Sequence, residues 1–569
     1  MKFKQFASYL ERLEKTSSRI EITKILAELF KKADANEIDK IVYLSLGELA
    51  PSFQNVILNL AEKMMLRVFS KAYGKDVKEV TQIYKKAGDL GVVAERLNVK
   101  NVKKDLSVGE VYQKLLEVAK DGGEGSQERK VQKMSDLLKS VDAHSARYIA
   151  RIPVGKLRLG FSDKTILDGL SWMQKGDKSS KADLDKAYQV LPDPGKLAKK
   201  VKTVGIKKAV EGTTPVVGIP TLTMLAQRLS SPEEMVKKMG EVSVEPKLDG
   251  LRLLIHFKKG KFVKAFTRNL NETSWMFPEL KEIKEHIRAD QAILDCEAVG
   301  LDEGTKKMAN FQSTMTRRRK HKIEGTSKKV GIDFYIFDIL KVNKVNCMNK
   351  LYLERRKIIK RVLLPGRFFK LVDYHLTNNT KEITSLYKEN VKKGLEGIIV
   401  KKTNAKYVPG RTAFRWVKMK HEAGHESKLT DTIDAVVMGY SQGKGKRIGF
   451  GVGQFLVGVV DGEKIKTMSK IGTGLTDDQF RELKTRLTKL EVTKKPKEYV
   501  IHKNYIPDYW VAPSQVVEIA ADEITKSPTH SAGLALRFPR LIKFRDDKGS
   551  GEATTVKELQ YLFKMQKVV

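Results

Sequence analysis

Cysteine is almost absent from this sequence, with only Cys296 and Cys347 in 569 residues. Neither lies in a metal-ligand spacing, so no zinc site built from cysteines and no disulfide framework is written into the chain. Long apolar runs are missing as well, since none approaches the roughly 20 residues that span a bilayer. The opening stretch, MKFKQFASYLERLEK, is charged and amphipathic where a secretory signal would be apolar. These absences predict a cytoplasmic chain with no membrane partner. Internal repeats and long low-complexity segments are lacking too. Acidic residues are scarce against basic ones, 69 Asp+Glu to 108 Lys+Arg, for a formal net charge of +39. A field of that sign captures polyanions, which points to nucleic acid without separating DNA from RNA.

What is present is an ordinary globular balance, 41% hydrophobic and 31% charged, in a chain long enough for about three to four domains. Residues 1–217 read as helical: apolar side chains recur at helical spacing in Phe6–Leu13, Ile20–Phe30, Val56–Val68 and Val111–Val118, and proline is sparse. The stretch DGGEGSQ at 121–127 reads as an exposed loop. Near Gly218 the texture changes. VSVEPKLDG, LRLLIHF, FVKAFTRN, AILDCEAVGL, VGIDFYIFDIL and GIIVKK are β-branched and aromatic runs, with helical stretches at Pro278–Ile287 and Tyr352–Leu363 between them. Residues 218–428 are therefore predicted as a mixed α/β domain. Residues 429–569 carry short strands broken by glycine turns and end in a helix over Thr555–Met565, which suits a small β-barrel of the oligonucleotide-binding type. The predicted class is a multi-domain α+β protein.

Chemistry concentrates in Glu245-Pro-Lys-Leu-Asp-Gly-Leu-Arg252. A lysine at a strand end can present its amine in a cleft, where burial and neighbouring cations favour the neutral, nucleophilic form. The following Asp-Gly lets a phosphate approach the backbone closely. Alone, KLDG reads more readily as a β-turn with a surface lysine. Further along stand TRN with Arg268, ILDCEAVG with Glu297, FYIFDIL with Phe337, EGIIVKK with Glu396 and Lys401, WVKMK with Lys418 and Lys420, and LRFPRLIKFRDDK with Arg540 and Lys548. In the first region, GKLRLG sets Lys156 and Arg158 beside glycines, where cations and backbone amides can meet phosphates together.

Taken in this order, these segments resemble the covalent nucleotidyltransferases, the superfamily of ligases and messenger-RNA capping enzymes. The likeness runs over nearly the whole chain. ARIPVGKLRLGFSDKTILDGL and AYQVLPDPGKLAK resemble the helical DNA-binding domain of archaeal and eukaryotic replicative DNA ligases. GIPTLTMLAQRL resembles the lead-in to their adenylation domain, and DAVVMGYSQGKGKR with VVEIAADEITKSPTHSAGLALRFPR resembles their oligonucleotide-binding domain. Within the superfamily this favours an ATP-dependent DNA ligase of archaeal type. Where those relatives have EYKYDG, this chain has EPKLDGLR, closer to bacterial ATP-dependent ligases. Arg411 in PGRT lies one position from the arginine that many relatives place before WVKMK, where Thr412 stands here.

The resemblance implies that Lys247 attacks ATP and carries AMP, which passes to the 5′-phosphate of a nick in duplex DNA before the 3′-hydroxyl closes the strand. It places Phe337 on the adenine ring with Glu245 at its edge, Arg252 and Arg268 on ribose or phosphate, and Lys418 and Lys420 on the α-phosphate. Lys401 and Arg411 complete the nucleotide site. Glu297 and Glu396 are implied as the metal pair for Mg²⁺, with Mn²⁺ as the alternative. Arg540 and Lys548 would reach the nucleotide when the third domain closes through a hinge at residues 428–432. Lys156 and Arg158 are implied in DNA binding. A monomer is expected, with a sliding clamp as a candidate partner through the segment 121–130. The rival readings are a capping enzyme or RNA ligase, which would lack the helical domain, and a DNA-binding scaffold with a dead nucleotidyltransferase fold. An NAD-dependent ligase is disfavoured by the missing four-cysteine zinc site.

Overall fold

The computed structural model describes residues 1–99, 105–155, 157, 159–229, 231–301, 331–411, 414–420, 431–443 and 449–566. Internal contacts divide the chain into two units, Met1–Lys420 and His421–Val569. Among the described residues no helix is long and apolar enough to cross a membrane.

The first unit begins with helices, from Phe3–Glu14 to Pro194–Val210, around one apolar core that includes Phe6, Leu10, Leu26, Phe30, Val111 and Leu170. The predicted helices over Phe6–Leu13, Ile20–Phe30 and Val111–Val118 appear as Phe3–Glu14, Arg19–Lys32 and Val108–Lys120. The stretch Val56–Val68 becomes helical only at Glu62–Tyr73. Ahead of that helix, Asn55 and Asn59 take left-handed φ of 52° and 54°, which a continuous helix does not tolerate. The segment 121–130 is a loop only in its first half. A helix runs over Ser126–Lys139, because Val131, Met134 and Leu138 recur at helical spacing and are buried. Lys130 is buried too, with its Nζ donating to the Leu58 carbonyl at 3.1 Å, so it is not part of an exposed loop.

The α/β part of this unit holds two larger sheets, beside a two-stranded one of Met224–Leu225 and Gly410–Arg411. One has the order His375–Thr377, Val242–Pro246, Gly397–Lys402, Trp416–Lys420, Gln227–Arg228. The other has Phe262–Thr267, Leu251–Lys258, Gln291–Leu301 and Gly331–Val342 in that order, with Val345–Asn346 beyond and Phe369–Leu371 parallel to Gly331–Val342. Side chains alternate between faces, so each strand contributes to two environments. In the first sheet Val242, Val244, Ile398, Val400 and Val417 pack in one core. In the second, Leu253, Ile255, Leu294, Cys296, Phe334 and Ile336 fill another. The polar motif residues Glu245, Lys401, Lys418, Arg252 and Glu297 stand at other positions of the same strands, and Leu254, Ile293 and Leu340 join a further apolar cluster.

Arg355 on the helix Tyr352–Val362 braces the second sheet. It forms a bidentate pair with Asp338 at 2.7 and 2.9 Å, both side chains being fully buried. Its NH1 also donates to the carbonyls of Lys350 and Ala405. Removing one partner strands the other charge in a dry interior. Arg355→Met should therefore cost about 3–5 kcal/mol of unfolding free energy, read from the midpoint of a urea titration.

The second unit is β-rich. Ile433–Ser441 is bonded to Gln454–Asp461 and Val516–Ala520, and the sheet continues through Lys464–Ile471 on one side and Arg540–Phe544 on the other. Register shifts between Val437 and Gly439 and between Val457 and Gly458 bend these strands. The predicted terminal helix is Val556–Met565, with Val556 and Leu559 buried in the core of this unit.

Candidate active site

Cross-strand register decides which motif residues become neighbours. Glu245, Ile399 and Lys418 are directly opposed across three strands, and so are Ser243, Lys401 and Trp416. Both rows share one sheet face, since positions two apart point the same way. In the second sheet Arg252 is opposed to Glu297. One step further on, the register slips: Asp295 faces Asp338 and Cys296 faces Ile336, so Phe337 is an extra residue without a partner position. A bulge of this kind re-aims a side chain. Here it sets Phe337 in the wall of a cavity of about 230 Å³.

That cavity is lined by Glu245, Lys247, Arg252, Arg268, Glu297, Phe337, Lys401 and Lys418, all singled out from the sequence, and by Leu225, Leu248, Val372, Ile399 and Trp416 among others. Lys247 lies just past the strand end. Its backbone N–H donates to the Gly397 carbonyl at 2.9 Å, while the Glu396 N–H donates to the Lys247 carbonyl at 3.2 Å. These reciprocal bonds hold Lys247 and Glu396 side by side, and their side chains form an ion pair. Lys420 joins the same carboxylate at 2.8 Å. Burial favours the neutral acid at Glu396, but the Lys247 and Lys420 ammoniums outweigh it and hold the pKa down at about 2. Glu297 is the opposite case. Burial pushes its carboxyl up to about 8 against the pull of Arg252 and Lys247, and the nearby charges of Asp295 and Glu396 add to the rise. Lys418 is lowered by burial and by repulsion from Lys420 and Lys247. Lys247 thus stands among further cations and two carboxylates of unlike protonation, Glu297 in the cavity lining and Glu396 paired with the lysine.

Two glycines make this proximity feasible. At Gly397, whose φ is 132°, a Cβ would lie 2.2 Å from the Met419 carbonyl oxygen. At Gly250, a Cβ would lie 2.4 Å from the Ala298 carbonyl oxygen and 3.0 Å from Glu297 Cγ. Neither contact can be relieved by a rotamer change. Gly250→Ala should displace Glu297 and lower the rate of any chemistry at Lys247 by about 10²-fold, because a shift near 1 Å in a reacting group has that order of effect. Single-turnover kinetics beside a thermal melt would separate this loss from unfolding.

Other predicted residues are held more tightly than the motifs suggest. Arg252 gives Nε and NH2 to Asp295 at 2.9 and 2.6 Å and NH1 to the Met224 carbonyl at 2.7 Å. Tyr407 donates to Asp295 at 2.8 Å and accepts the Met224 N–H at 3.1 Å. Together these pin the Met224–Leu225 strand, and with it Leu225, at the cavity wall. Lys401 is buried against Glu245 at 2.6 Å, its ammonium 4.6 Å from the centre of the Phe337 ring and 4.4 Å from that of Trp416. Burial lowers its pKa against the pull of Glu245 and Asp338. Arg268 is exposed at the mouth, in a loop closed by Thr267 N–H to the Asn271 carbonyl at 2.9 Å. Arg411 lies in the strand Gly410–Arg411, parallel to Met224–Leu225. Lys156 and Arg158 lie outside the described residues, as does most of the hinge at 428–432. In the second unit, Arg540 pairs with Asp522 at 2.8 Å and Lys548 with Asp434 at 2.6 Å.

Sequence reading passed over Trp416, Asp295, Tyr407 and Tyr352. Trp416 and Asp295 stand inside quoted motifs and could have been found from strand alternation. Tyr352 and Tyr407 belong to no motif and reach the site only through folding.

A lysine amine beside a carboxylate, at a cavity lined by cations and by the Phe337 and Trp416 rings, suits covalent nucleotidyl transfer. Comparison with known proteins specifies it further. Residues 223–420 match the ATP dependent DNA ligase domain, residues 2–171 the DNA ligase N terminus, and residues 449–548 the ATP dependent DNA ligase C terminal region. The chain is 38% identical over 578 residues to a probable DNA ligase of Dictyoglomus thermophilum, covering all of this chain and 98% of the relative. It is 36% identical over 594 residues to a DNA ligase of Sulfurisphaera tokodaii, with the same coverage. The solved structure Pmar-Lig_PreS3 is similar over 95% of this chain and 99% of its own, with a TM-score of 0.54 at 19% identity, a likeness of fold. The chain belongs to the ATP-dependent DNA ligase family, whose general mechanism is nick sealing through a lysyl-AMP intermediate.

Proposed function

We propose that Lys247 is the residue that carries AMP, and that the chain uses it to seal 5′-phosphate/3′-hydroxyl nicks in duplex DNA. The observation that carries this reading is the placement of the Lys247 amine at a cavity that also holds Phe337, Arg268, Glu297 and Lys418. ATP entering there would set its base against Phe337 with Glu245 at the purine edge. Its phosphates would then lie toward Lys247, Lys418, Lys420 and Arg268. Attack by the Lys247 amine on the α-phosphate forms a P–N bond and breaks the bond to pyrophosphate. Transfer to the 5′-phosphate of a nick breaks the P–N bond and restores the amine. Attack by the 3′-hydroxyl on that phosphate then forms the phosphodiester and releases AMP. Every step is phosphoryl or nucleotidyl transfer, so positioning and neutralisation of charge carry the catalysis.

In the unliganded site the amine is engaged by Glu396. Nucleophilic attack needs that pair to open and the amine to be freed of its proton. Among the described residues no cluster of three or more His, Cys, Asp or Glu could form a protein-only metal cage. Two carboxylates, Glu297 and Glu396, close enough to sense each other's charge, suit a Mg²⁺ ion that keeps waters and shares phosphate oxygens. The ion would neutralise charge on the reacting phosphate and orient the leaving group. We assign duplex DNA binding to the helical part, with Lys156 and Arg158, and to the β-rich unit, read as an oligonucleotide-binding barrel that brings Arg540 and Lys548 to the nucleotide.

The test is to incubate the protein with Mg²⁺ and α-labelled ATP and run a denaturing gel. Label on the protein that is discharged by nicked duplex DNA is the expected result. Label discharged only by nicked RNA, or label from GTP alone, would overturn it.

A further inference from the structure

Glu245 is held from both sides, more completely than a ligand-facing carboxylate requires. Its Oε2 pairs with Lys401 at 2.6 Å, and its Oε1 accepts a hydrogen bond from the Tyr352 hydroxyl. Tyr352 is fully buried and is the first residue of the helix Tyr352–Val362. Its hydroxyl has one proton, which goes to Glu245, so the Ser243 hydroxyl 3.0 Å away is the donor to the tyrosine oxygen. Ser243 and Glu245 are two apart on one strand, and Ser243 is directly opposed to Lys401. Ser243, Tyr352, Glu245 and Lys401 therefore form a compact polar network under the cavity floor. Tyr352 is fixed in turn: the Arg355 guanidinium, committed to Asp338, lies 5.8 Å from the centre of its ring.

The chemistry of purines gives this rigidity a purpose. A carboxylate is an acceptor only. At the 6-position it accepts from the amino group of adenine and repels the oxygen of guanine. A carboxylate free to turn, however, can bind the N1–H and 2-amino donors of guanine. An acceptor at the base edge therefore does not exclude guanine by its charge. Exclusion requires that the oxygens cannot move.

We propose that Tyr352 is a positioning residue that makes the pocket selective for a 6-amino purine over a 6-oxo purine, by locking the Glu245 carboxylate in one orientation. The proposal rests on the reading of Glu245 as the residue at the base edge. It assigns a specificity role to a side chain outside every nucleotide-site motif, which acts through Glu245 without touching the nucleotide itself.

The experiment compares Tyr352→Phe with the parent protein, using Mg²⁺ with α-labelled ATP and, separately, α-labelled GTP, and reads the rate of protein labelling over a range of nucleotide concentrations. The expected result is a fall of about tenfold or more in the ATP:GTP ratio of kcat/KM, made of a higher KM for ATP and faster labelling by GTP. A purely structural role for Tyr352 would slow both nucleotides alike and leave the ratio where it was; that result overturns the proposal and leaves Lys247 as the AMP carrier untouched. If Tyr352→Phe fails to fold by circular dichroism, Ser243→Ala decides: a smaller fall in the ratio supports the lock, and an unchanged ratio overturns it. Glu245→Ala with the parent ratio would remove the base-edge reading and the proposal together. A parent protein free of bound AMP that takes no label from either nucleotide would remove the reading of Lys247 as the AMP carrier, on which the proposal rests.

Discussion

Lys247→Ala should take no label from α-labelled ATP, and its ATP-dependent nick sealing should fall by at least about 10⁴-fold. The size of this effect follows from the site. In the proposed reading, the Lys247 amine at the cavity is the group whose attack creates the covalent intermediate, and an alanine leaves nothing to hold AMP. Lys418 and Lys420 stand near it, but they occupy another strand, Trp416–Lys420, and Lys420 is paired to Glu396. In the same proposal they would neutralise phosphate charge, and neither is held by the reciprocal backbone bonds that fix Lys247. A nick that already carries 5′-AMP needs no lysyl-AMP, so the variant should keep sealing activity on that substrate to within about a hundredfold of the parent. Label that persists in Lys247→Ala would show that a neighbouring lysine is the nucleophile. Loss of activity on the pre-adenylylated nick as well would show that the substitution damages more than the first step.

Glu297→Gln separates activity from stability. The carboxyl titrates at about 8 in the folded protein, against 4.5 for an ordinary glutamate, because burial disfavours its charge. The folded state therefore binds this proton more tightly than the unfolded chain. The stability that it contributes is fully present below the unfolded value and is lost as pH rises through the folded one. In metal-free buffer the parent should grow less stable than Glu297→Gln as pH climbs, by an amount on the order of a few kcal/mol near pH 9, whereas near pH 4 the two should coincide. Urea titrations at the two pH values read this directly. Curves that stay parallel at both would show that Glu297 is not held neutral by the fold. Activity should move the other way. A neutral amide cannot supply the carboxylate proposed to join Glu396 in holding a divalent ion, so on that proposal lysyl-AMP formation in Mg²⁺ should fall by about 10³-fold. The site thus keeps a carboxylate at a cost in stability, the usual signature of a group retained for chemistry.

Much of this protein is legible in one dimension. The motif lysine, the two acids, the strand-end cations and their order along the chain are sequence properties, and so is the switch from helical to alternating periodicity near Gly218. The hydrophobic pattern alone predicts helix over Phe6–Leu13 and Ile20–Phe30, which fold as Phe3–Glu14 and Arg19–Lys32, and the run LRLLIHF reads as the strand that forms over Leu251–Lys258. The helix start at Glu62 and the split of the segment 121–130 were less legible, since left-handed asparagines and a buried lysine leave weak local signals.

Tertiary structure alone decided three things. The slip in register between Asp295 and Cys296 turned Phe337 into an unopposed residue in the cavity wall, where alternation by itself allowed a core position. Pairing of Val242–Pro246 with Gly397–Lys402 brought Lys247 against Glu396, which are 149 positions apart in sequence, and a contact at such a separation has no local trace. The packing of Tyr352–Val362 set Tyr352 beneath Glu245. The sequence determined which reactive groups the chain possesses and in what order; which of them share a hydrogen bond depended on strand register and helix docking, and those are properties of the folded chain as a whole.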